Sequence, residues 1–218
     1  MDVVATVAAA IDWPTVLAYI FTVMAAYVAL TVAAVASPLA RRILFKSRLY
    51  ARGIAHMALS REKKGWPKAR GNGVPVGDVV TKRIIFVRHG ESTWNQVFNR
   101  GFGYRFPFRL FEGVLTEVVG LFSRGSFFFD APLSDLGNMQ ATSLRYFLTS
   151  KEDGPVGKDA DALAGTKGTS ILVTSNLRRA AQTMGIAFWD RVAVTGEKIY
   201  VLSSLQEMAR NVDTCALA

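Results

Sequence analysis

The residues best suited to chemistry stand together in one run at 88–95, Arg-His-Gly-Glu-Ser-Thr-Trp-Asn. Residues 82–87, directly before it, form a short, largely apolar run with β-branched side chains, which predicts a buried strand. Gly90 permits a sharp turn after that strand, and Ser92 is suited to cap a following helix. The arginine and histidine of the run therefore stand at the C-terminal end of a strand, where open α/β sheets bind ligands.

Two further candidate side chains also follow predicted strands. Residues 171–174 and 199–202 are apolar runs of strand length, and Arg179 and Glu207 come a few residues after them. Ser175 is suited to cap a helix that runs to about residue 190. Because parallel strands end at one edge of a sheet, we expect both side chains to converge with the histidine, beside helix N-termini that favour an anion.

These residues fall in four blocks that resemble the histidine phosphatase superfamily, in its phosphoglycerate-mutase-like branch. Residues 88–95 match that family's Arg-His-Gly-Glu-(Ser/Thr) signature with Trp-Asn behind it. Residues 130–141 resemble its Asp-x-Pro-Leu-(Ser/Thr)-x-x-Gly-x-x-Gln-Ala stretch, and residues 175–183 its Ser-x-Leu-x-Arg-Ala-x-Gln-Thr helix start. Residues 205–207 resemble the Leu-x-Glu segment that carries the family's acid. The resemblance covers residues 82 to about 210.

The resemblance implies a phosphomonoester hydrolase that acts through a phosphohistidine. His89 would be the nucleophile, and Glu207 the acid that protonates the leaving oxygen and then the base that activates water. Arg88 and Arg179 would grip the phosphoryl oxygens, because a planar guanidinium binds them bidentately. The expected substrate-binding residues are Arg88, Ser92, Asn95 and Arg179. We expect no metal and no cofactor, and as substrate a phosphorylated small molecule, lipid or protein.

The implied fold is an α/β three-layer sandwich, in which helices flank a mostly parallel sheet. The family carries a second catalytic histidine in a strand beyond the acid, whereas this sequence has only His56 and His89 and ends at Ala218. We therefore expect an incomplete sheet and site, either because the sequence is a C-terminally truncated fragment or because part of the site has been lost. A catalytically impaired pseudophosphatase that binds phosphorylated partners stays open as an alternative, as does a phosphoglycerate-mutase-like phosphotransferase.

The N-terminal segment, residues 1–40, has the composition of a membrane anchor. No charge interrupts residues 13–40, and a helix over about 14–37 would exceed the hydrocarbon thickness of about 30 Å. A cleaved secretory signal, with a cleavage-like Ala-Val-Ala at 34–36, and a buried helix of a soluble domain are the alternatives.

The excess positive charge is confined to the stretch after this anchor. Residues 41–70 hold ten Lys or Arg and one acid, which accounts for the formal net charge of +9 of the whole chain. Lys and Arg residues directly after a membrane-spanning helix predict a single-pass protein with its C-terminal domain in the cytoplasm. They also predict lipid contacts through residues 14–52. Such a block argues against a nucleic-acid docking face. We expect a basic juxtamembrane segment and linker over 41–81 and the catalytic domain over 82–218.

An aromatic-rich insertion at 96–129 interrupts that domain. It contains nine of the fourteen Phe residues. Apolar side chains at 108, 111, 115, 118 and 122 have helical spacing and predict an amphipathic helix. Three roles are open for this helix: packing on the domain's own core, a lid over the phosphate site, or contact with the membrane interface. In the third case Arg100, Arg105 and Arg109 would lie near lipid headgroups.

Overall fold

The chain is mostly helical with one small parallel sheet. The computed structural model describes residues 12–60, 82–150, 155, 158–165, 170–207 and 211–217, so most of the predicted linker lies outside the described residues. Two compact units are present, one formed by residues 1–52 and 121–124 and the other by residues 53–120 and 125–218.

The first unit contains a long apolar helix, α1 (Trp13–Ala36). Asp12 caps its N-terminus by accepting a hydrogen bond from the Thr15 amide. Inside the helix, the hydroxyls of Thr22 and Thr31 donate to carbonyl oxygens one turn earlier, both at 2.8 Å, so these polar groups are satisfied in place. With 24 residues and a mean hydropathy of 2.1, α1 is long and apolar enough to cross a membrane, in agreement with the predicted span.

A basic helix, α2 (Pro38–Leu59), follows after a single residue. The first part of α2 packs against α1 through small apolar side chains, and the Arg48 Nε donates to the Tyr27 hydroxyl at 2.9 Å. The predicted basic segment is therefore helical from its start. The side chains in this small apolar cluster are Leu30, Ala34, Ala40 and Leu44.

The second unit contains a small parallel sheet of two strands. Strands β1 (Leu172–Ser175) and β2 (Ile199–Leu202) run parallel and pair in register from Leu172 opposite Ile199 to Ser175 opposite Leu202. Helices α7 (Arg178–Ala187) and α8 (Trp189–Thr195) form the crossover between them, and Gly196 ends α8 with a φ of +65°. Both strands agree with the prediction to within one residue.

One side of this sheet is covered by helices. Helix α5 (Asp135–Thr149) packs with α7 over β1, around a core of Leu172, Ala187 and Phe188. On β2, by contrast, Tyr200, Val201 and Leu202 are exposed. The described residues therefore form a two-stranded sheet with helical cover, and the full three layers of the expected sandwich are not among them.

The prediction of a strand over residues 82–87 is wrong. No strand forms there, and the side chains of Ile84 and Phe86 are 72% and 88% exposed. A strand needs a neighbour that supplies its backbone hydrogen bonds, and the described sheet extends no further than β1 and β2. The apolar composition of the run could not determine whether a strand forms, because strand pairing is a tertiary property.

Helix α3 (Thr93–Phe98) leads into the insertion, which contains α4 (Phe106–Val119) and a 3-10 turn (Gly120–Phe122). Helix α4 covers most of the predicted amphipathic stretch, but its apolar stripe faces away from the protein. The interpretation that this stripe packs on the domain's own core is therefore wrong. The remaining described elements are helix α6 (Lys158–Ala164) and two 3-10 turns, Ser203–Leu205 and Val212–Thr214.

Candidate active site

The turn that carries His89 is locked against the second motif block by backbone contact. A Cβ added to Gly90 would lie 2.5 Å from the Gly137 carbonyl oxygen, and one added to Gly137 would meet the Glu91 carbonyl. Ser92 and Leu133 form an isolated antiparallel bridge beside this contact. Because backbone atoms cannot rotate out of the way, both positions require glycine.

Side chains from two helices secure the backbone amides around the turn. The Glu91 amide donates to Oε1 of Gln140, on α5, at 2.8 Å. The Gly90 amide donates to the hydroxyl of Thr183, on α7, at 3.1 Å. The Leu133 amide donates to Oε1 of Gln182, also on α7, at 2.8 Å. The first three motif blocks are therefore joined by hydrogen bonds that no single block could form alone.

Glu91, the acid of the first block, is committed to structure. Its carboxylate accepts two hydrogen bonds from the Arg100 guanidinium and one, at 2.7 Å, from the Ser134 hydroxyl. Burial alone would raise the pKa of Glu91, but the hydrogen bonds from Arg100 and Ser134 outweigh it, and the net pKa is lowered. Glu91 thus ties the turn to the start of both the insertion and α5.

Ser92 and Asn95 lie at the start of α3. Ser92 is fully buried and caps this helix as predicted, since its Oγ accepts from the Asn95 amide at 3.2 Å. The Asn95 side-chain oxygen accepts from the Asn99 amide group at 2.7 Å. The substrate contacts expected of Ser92 and Asn95 stay predictions.

Asp130 joins the second block to the third. Its backbone has a φ of +46°, its side chain is fully buried, and Oδ1 accepts from the Arg178 amide at 2.8 Å while Oδ2 accepts from the Leu217 amide at 3.1 Å. Asp130 thereby satisfies an amide at the N-terminus of α7. The prediction that Ser175 caps this helix is wrong, because Ser175 belongs to β1 and its Oγ accepts from the Leu177 amide instead.

His89 and Arg179 are in direct contact. The Arg179 Nε lies 3.2 Å from the His89 Nε2, and the His89 Nδ1 lies 2.7 Å from the Gly90 carbonyl oxygen. A guanidinium nitrogen can only donate, so Nε2 is the acceptor and the ring proton resides on Nδ1. The imidazole is therefore held in the tautomer whose lone pair is on Nε2, the form required of a nucleophile at that atom.

Burial and neighbouring cations keep this imidazole neutral. Burial lowers the pKa of His89 below its usual value, and the charges of Arg179 and Arg88 lower it further. The hydrogen bond to the Gly90 carbonyl and the charge of Glu207 oppose that shift without reversing it. Arg88 is exposed but close enough to act on His89 electrostatically.

Arg179 connects the histidine to two carboxyl groups. It lies in the first turn of α7, and its side chain is 1% exposed. One terminal nitrogen donates to the Glu207 carboxylate at 2.8 Å, and the other donates to the Asp213 carbonyl at 2.7 Å. The structure thus brings together His89, Arg179 and Glu207, although the described residues before His89 form no strand, and Arg88 lies within electrostatic reach.

Asp213 is a member of this cluster that sequence reasoning missed. It lies in the Val212–Thr214 turn, and its Oδ2 is 3.4 Å from Arg179. Burial raises the pKa of Asp213 to about 6, although the positive charge of Arg179 lowers it. Its other carboxyl oxygen is buried without a hydrogen-bond partner among the described residues. A lone acid six positions after Glu207 belongs to none of the four blocks, so no sequence signal marked it.

The cluster has the chemistry of an oxyanion site. It combines an imidazole lone pair, a buried guanidinium, an exposed second guanidinium and a carboxylate, Glu207, whose side chain is 57% exposed. Within the described part of the chain, no group of three or more His, Cys, Asp or Glu side chains is arranged to hold a metal ion. Comparisons with protein-family models, curated proteins and solved structures found no match to this chain. Function is therefore inferred from the residues and their geometry.

Proposed function

We propose that this chain is a membrane-tethered phosphomonoester hydrolase of the histidine phosphatase type. The observation that carries the proposal is the position of the His89 Nε2 lone pair, 3.2 Å from the Arg179 Nε, with the ring proton held at the Gly90 carbonyl. A nucleophile and an oxyanion-binding cation thus stand side by side. We also propose that the βαβ unit is part of the phosphoglycerate-mutase-like three-layer sandwich.

The first half of the proposed reaction forms a phosphohistidine. The phosphoryl group of the substrate takes the place of the hydrogen bond between Arg179 and His89, and its non-bridging oxygens accept from Arg179 and Arg88. The Nε2 lone pair attacks phosphorus in line, a P–N bond forms and the P–O bond to the leaving group breaks. Glu207, whose side chain is 57% exposed, takes up a proton from water when the phosphoryl group displaces it from Arg179, and the leaving oxygen takes that proton as the P–O bond breaks.

The second half reverses the role of the acid. The Glu207 carboxylate accepts a proton from a water molecule, whose oxygen attacks the phosphohistidine. A new P–O bond forms and the P–N bond breaks. Inorganic phosphate leaves, and the His89 imidazole returns to its neutral form. Arg179 holds the phosphoryl oxygens through both steps, which supplies positioning and charge stabilisation.

The tether is proposed from the first unit. Helix α1 is long and apolar enough to span a bilayer, and the cationic α2 follows it directly. We infer a single-pass protein with the catalytic domain on the cytoplasmic side, because an excess of Lys and Arg marks that side of a span. Lipid contacts are proposed for residues 14–52, and the proposed substrates are phosphorylated small molecules, lipids or proteins rather than nucleic acids.

One observation favours a second candidate, a pseudophosphatase that binds phosphorylated partners without turning them over. Every nitrogen of the Arg179 guanidinium already has a partner, and the side chain is almost fully buried. A phosphorylated ligand must displace these contacts before the Arg179 guanidinium can donate hydrogen bonds to it. A site that captured phosphate slowly and left it unreacted would have this resting geometry.

Hydrolysis by the full chain separates the two candidates. Phosphate release from p-nitrophenyl phosphate is measured for detergent-solubilised protein, for His89→Ala and for His56→Ala. His56 lies in α2 and provides a matched histidine control. The hydrolase predicts turnover that His56→Ala preserves and His89→Ala abolishes. Phosphate release that is undiminished in His89→Ala contradicts the assignment, whereas phosphate binding without release supports the pseudophosphatase.

A further inference from the structure

The apolar face of α4 is turned outward over the whole length of the helix. Phe108 and Phe111 are 73% and 68% exposed, and Leu115, Val118 and Val119 are also more than half exposed. At about 100° per residue these five side chains fall within an arc of about 100°. This is the width of a face that helices normally bury. Glu112 and Thr116 lie at its rim and are exposed too.

The opposite face fixes this orientation. A Cβ added to Gly113 would lie 2.8 Å from the Phe127 ring, so the helix backbone approaches that ring closely. The Glu117 carboxylate is buried and accepts from the Ser126 hydroxyl at 2.9 Å and the Phe127 amide at 2.6 Å. Turning α4 over to bury its apolar stripe would break these bonds and leave polar groups unsatisfied. The outward face is therefore specified by the fold.

The aromatic residues of the insertion divide between two roles. A chain of ring contacts, with centroids between 4.3 and 6.4 Å apart, joins Trp94 to four phenylalanines of the insertion, Phe98, Phe106, Phe127 and Phe128. Phe102 and Tyr104, just before α4, are more than three-quarters exposed, and the Phe102 ring contacts Phe106 with centroids 4.8 Å apart. The aromatic side chains thus form one half-buried cluster, while Phe102 and Tyr104 leave most of their surface exposed.

Cationic side chains accompany the exposed set. Arg105 is exposed and its guanidinium lies 5.4 Å from the centre of the Tyr104 ring. Arg109 donates to the Gly101 carbonyl at 2.5 Å and to the Val97 carbonyl, which ties the first turn of α4 to the loop before it. An apolar helix face with aromatic and arginine side chains at one end has the composition of helices that lie at a lipid interface.

We propose that the outward face of α4 lies in the boundary between headgroups and acyl chains of a bilayer containing anionic lipid. The inference rests on the proposed membrane tether and is independent of catalysis at His89. Charge complementarity favours a surface of anionic lipid over a second copy of this chain, because the insertion holds four arginines against two acids and Arg105 adjoins the face. The tether also keeps the domain within reach of a bilayer.

Fluorescent labels on the full chain test this contact. Cys215, the only cysteine, is replaced by Ser, and single cysteines carrying an environment-sensitive dye are introduced by Leu115→Cys on α4 and Tyr146→Cys on α5. Tyr146 is 70% exposed and serves as the matched control. A third label, from Val28→Cys in α1, reports on the tether. Each protein is reconstituted into vesicles of phosphatidylcholine alone or mixed with phosphatidylserine.

We expect the dye at position 115 to show blue-shifted emission and quenching by a lipid-borne nitroxide, more strongly with phosphatidylserine, while the dye at 146 is quenched only by iodide in water. A dye at 115 that behaves like the one at 146 overturns the proposal. So does a dye shielded from both quenchers, because it indicates a second copy or closure onto the domain itself. The dye at position 28 reports whether α1 is in the bilayer. A failed tether is therefore distinguished from a missing α4 contact.

Discussion

Arg179 donates a hydrogen bond to His89 across 90 positions of sequence, at 3.2 Å. The contact joins two motif blocks through the atoms that a phosphohistidine mechanism requires. It also explains the fixed tautomer of His89, because the guanidinium can only donate a hydrogen bond to Nε2, and the proton on Nδ1 is donated to the Gly90 carbonyl.

We expect that lysine cannot replace the guanidinium of Arg179 in catalysis. Arg179→Lys keeps the charge but cannot donate to His89, Glu207 and Asp213 at once. We expect kcat/KM for p-nitrophenyl phosphate to fall by about 10²–10³, the usual effect of removing one transition-state donor. The matched control is Arg178→Lys, since the contact with Asp130 comes from the backbone amide of Arg178 and, among the described residues, its side chain makes only one long hydrogen bond, 3.4 Å to the Ser126 carbonyl. Equal losses in the two variants would contradict the role of Arg179.

The pKa of His89 should respond to Arg88. Burial, Arg179 and Arg88 lower that pKa, so the folded protein holds the neutral ring to lower pH than a free histidine would. Arg88→Ala removes one positive charge and should move the titration midpoint upward, toward the usual value of about 6.5. Nuclear magnetic resonance of the His89 ring protons follows the titration directly. A midpoint that stays put or moves down would show that Arg88 does not act on the ring.

Asp213 should make the protein less stable as pH rises. Its pKa is about 6 in the folded protein against 3.8 ordinarily, so between these values the folded state binds more protons than the unfolded state. The free energy of unfolding contributed by Asp213 is therefore fully present below about pH 4 and is lost as pH rises through 6. Asp213→Asn removes this dependence and keeps the backbone carbonyl that holds Arg179. Urea unfolding at pH 4.5 and pH 7 measures the difference between the two proteins, and an identical pH dependence in both would contradict the raised pKa.

Gly137 is expected to resist substitution although it lies in a helix. Glycine-to-alanine changes normally stabilise helix interiors by about 1 kcal/mol. At Gly137 the new methyl would meet the Glu91 carbonyl, so we expect a loss of about 1–3 kcal/mol or more. Gly185, inside α7, has open space at the same position and is the matched control. The midpoint temperature of thermal unfolding should fall for Gly137→Ala and rise for Gly185→Ala. A Gly137→Ala protein that is more stable than the wild type would show that the turn is not packed as described.

The local patterns predicted the elements better than their packing. The apolar runs predicted β1 and β2, and the long stretch without charged residues predicted α1, because these signals lie within one continuous segment of the sequence. The run at 82–87 has the same composition as a strand, yet it lacks a paired neighbour. The stripe on α4 likewise indicated a helix but not its direction, which a buried Glu117 determines.

The candidate site was predictable where residues belong to motifs. Strand ends placed Arg179 and Glu207 together, and the structure joins both to His89 through one guanidinium. Asp213 could not be found in this way, since its place depends on how the chain after Glu207 folds back onto Arg179. The capping of α7 by Asp130, 48 positions away, is another contact with no local signal.

Trapping of the phosphorylated enzyme tests the central claim most directly. Full-length protein, His89→Ala and His56→Ala are mixed with radiolabelled acetyl phosphate, quenched in base and divided between acid and alkaline treatment. We expect wild-type protein and His56→Ala to carry label that is stable in base and lost in acid, as a P–N bond requires, and His89→Ala to carry none. Label that survives acid, or that persists in His89→Ala, would contradict nucleophilic attack by His89.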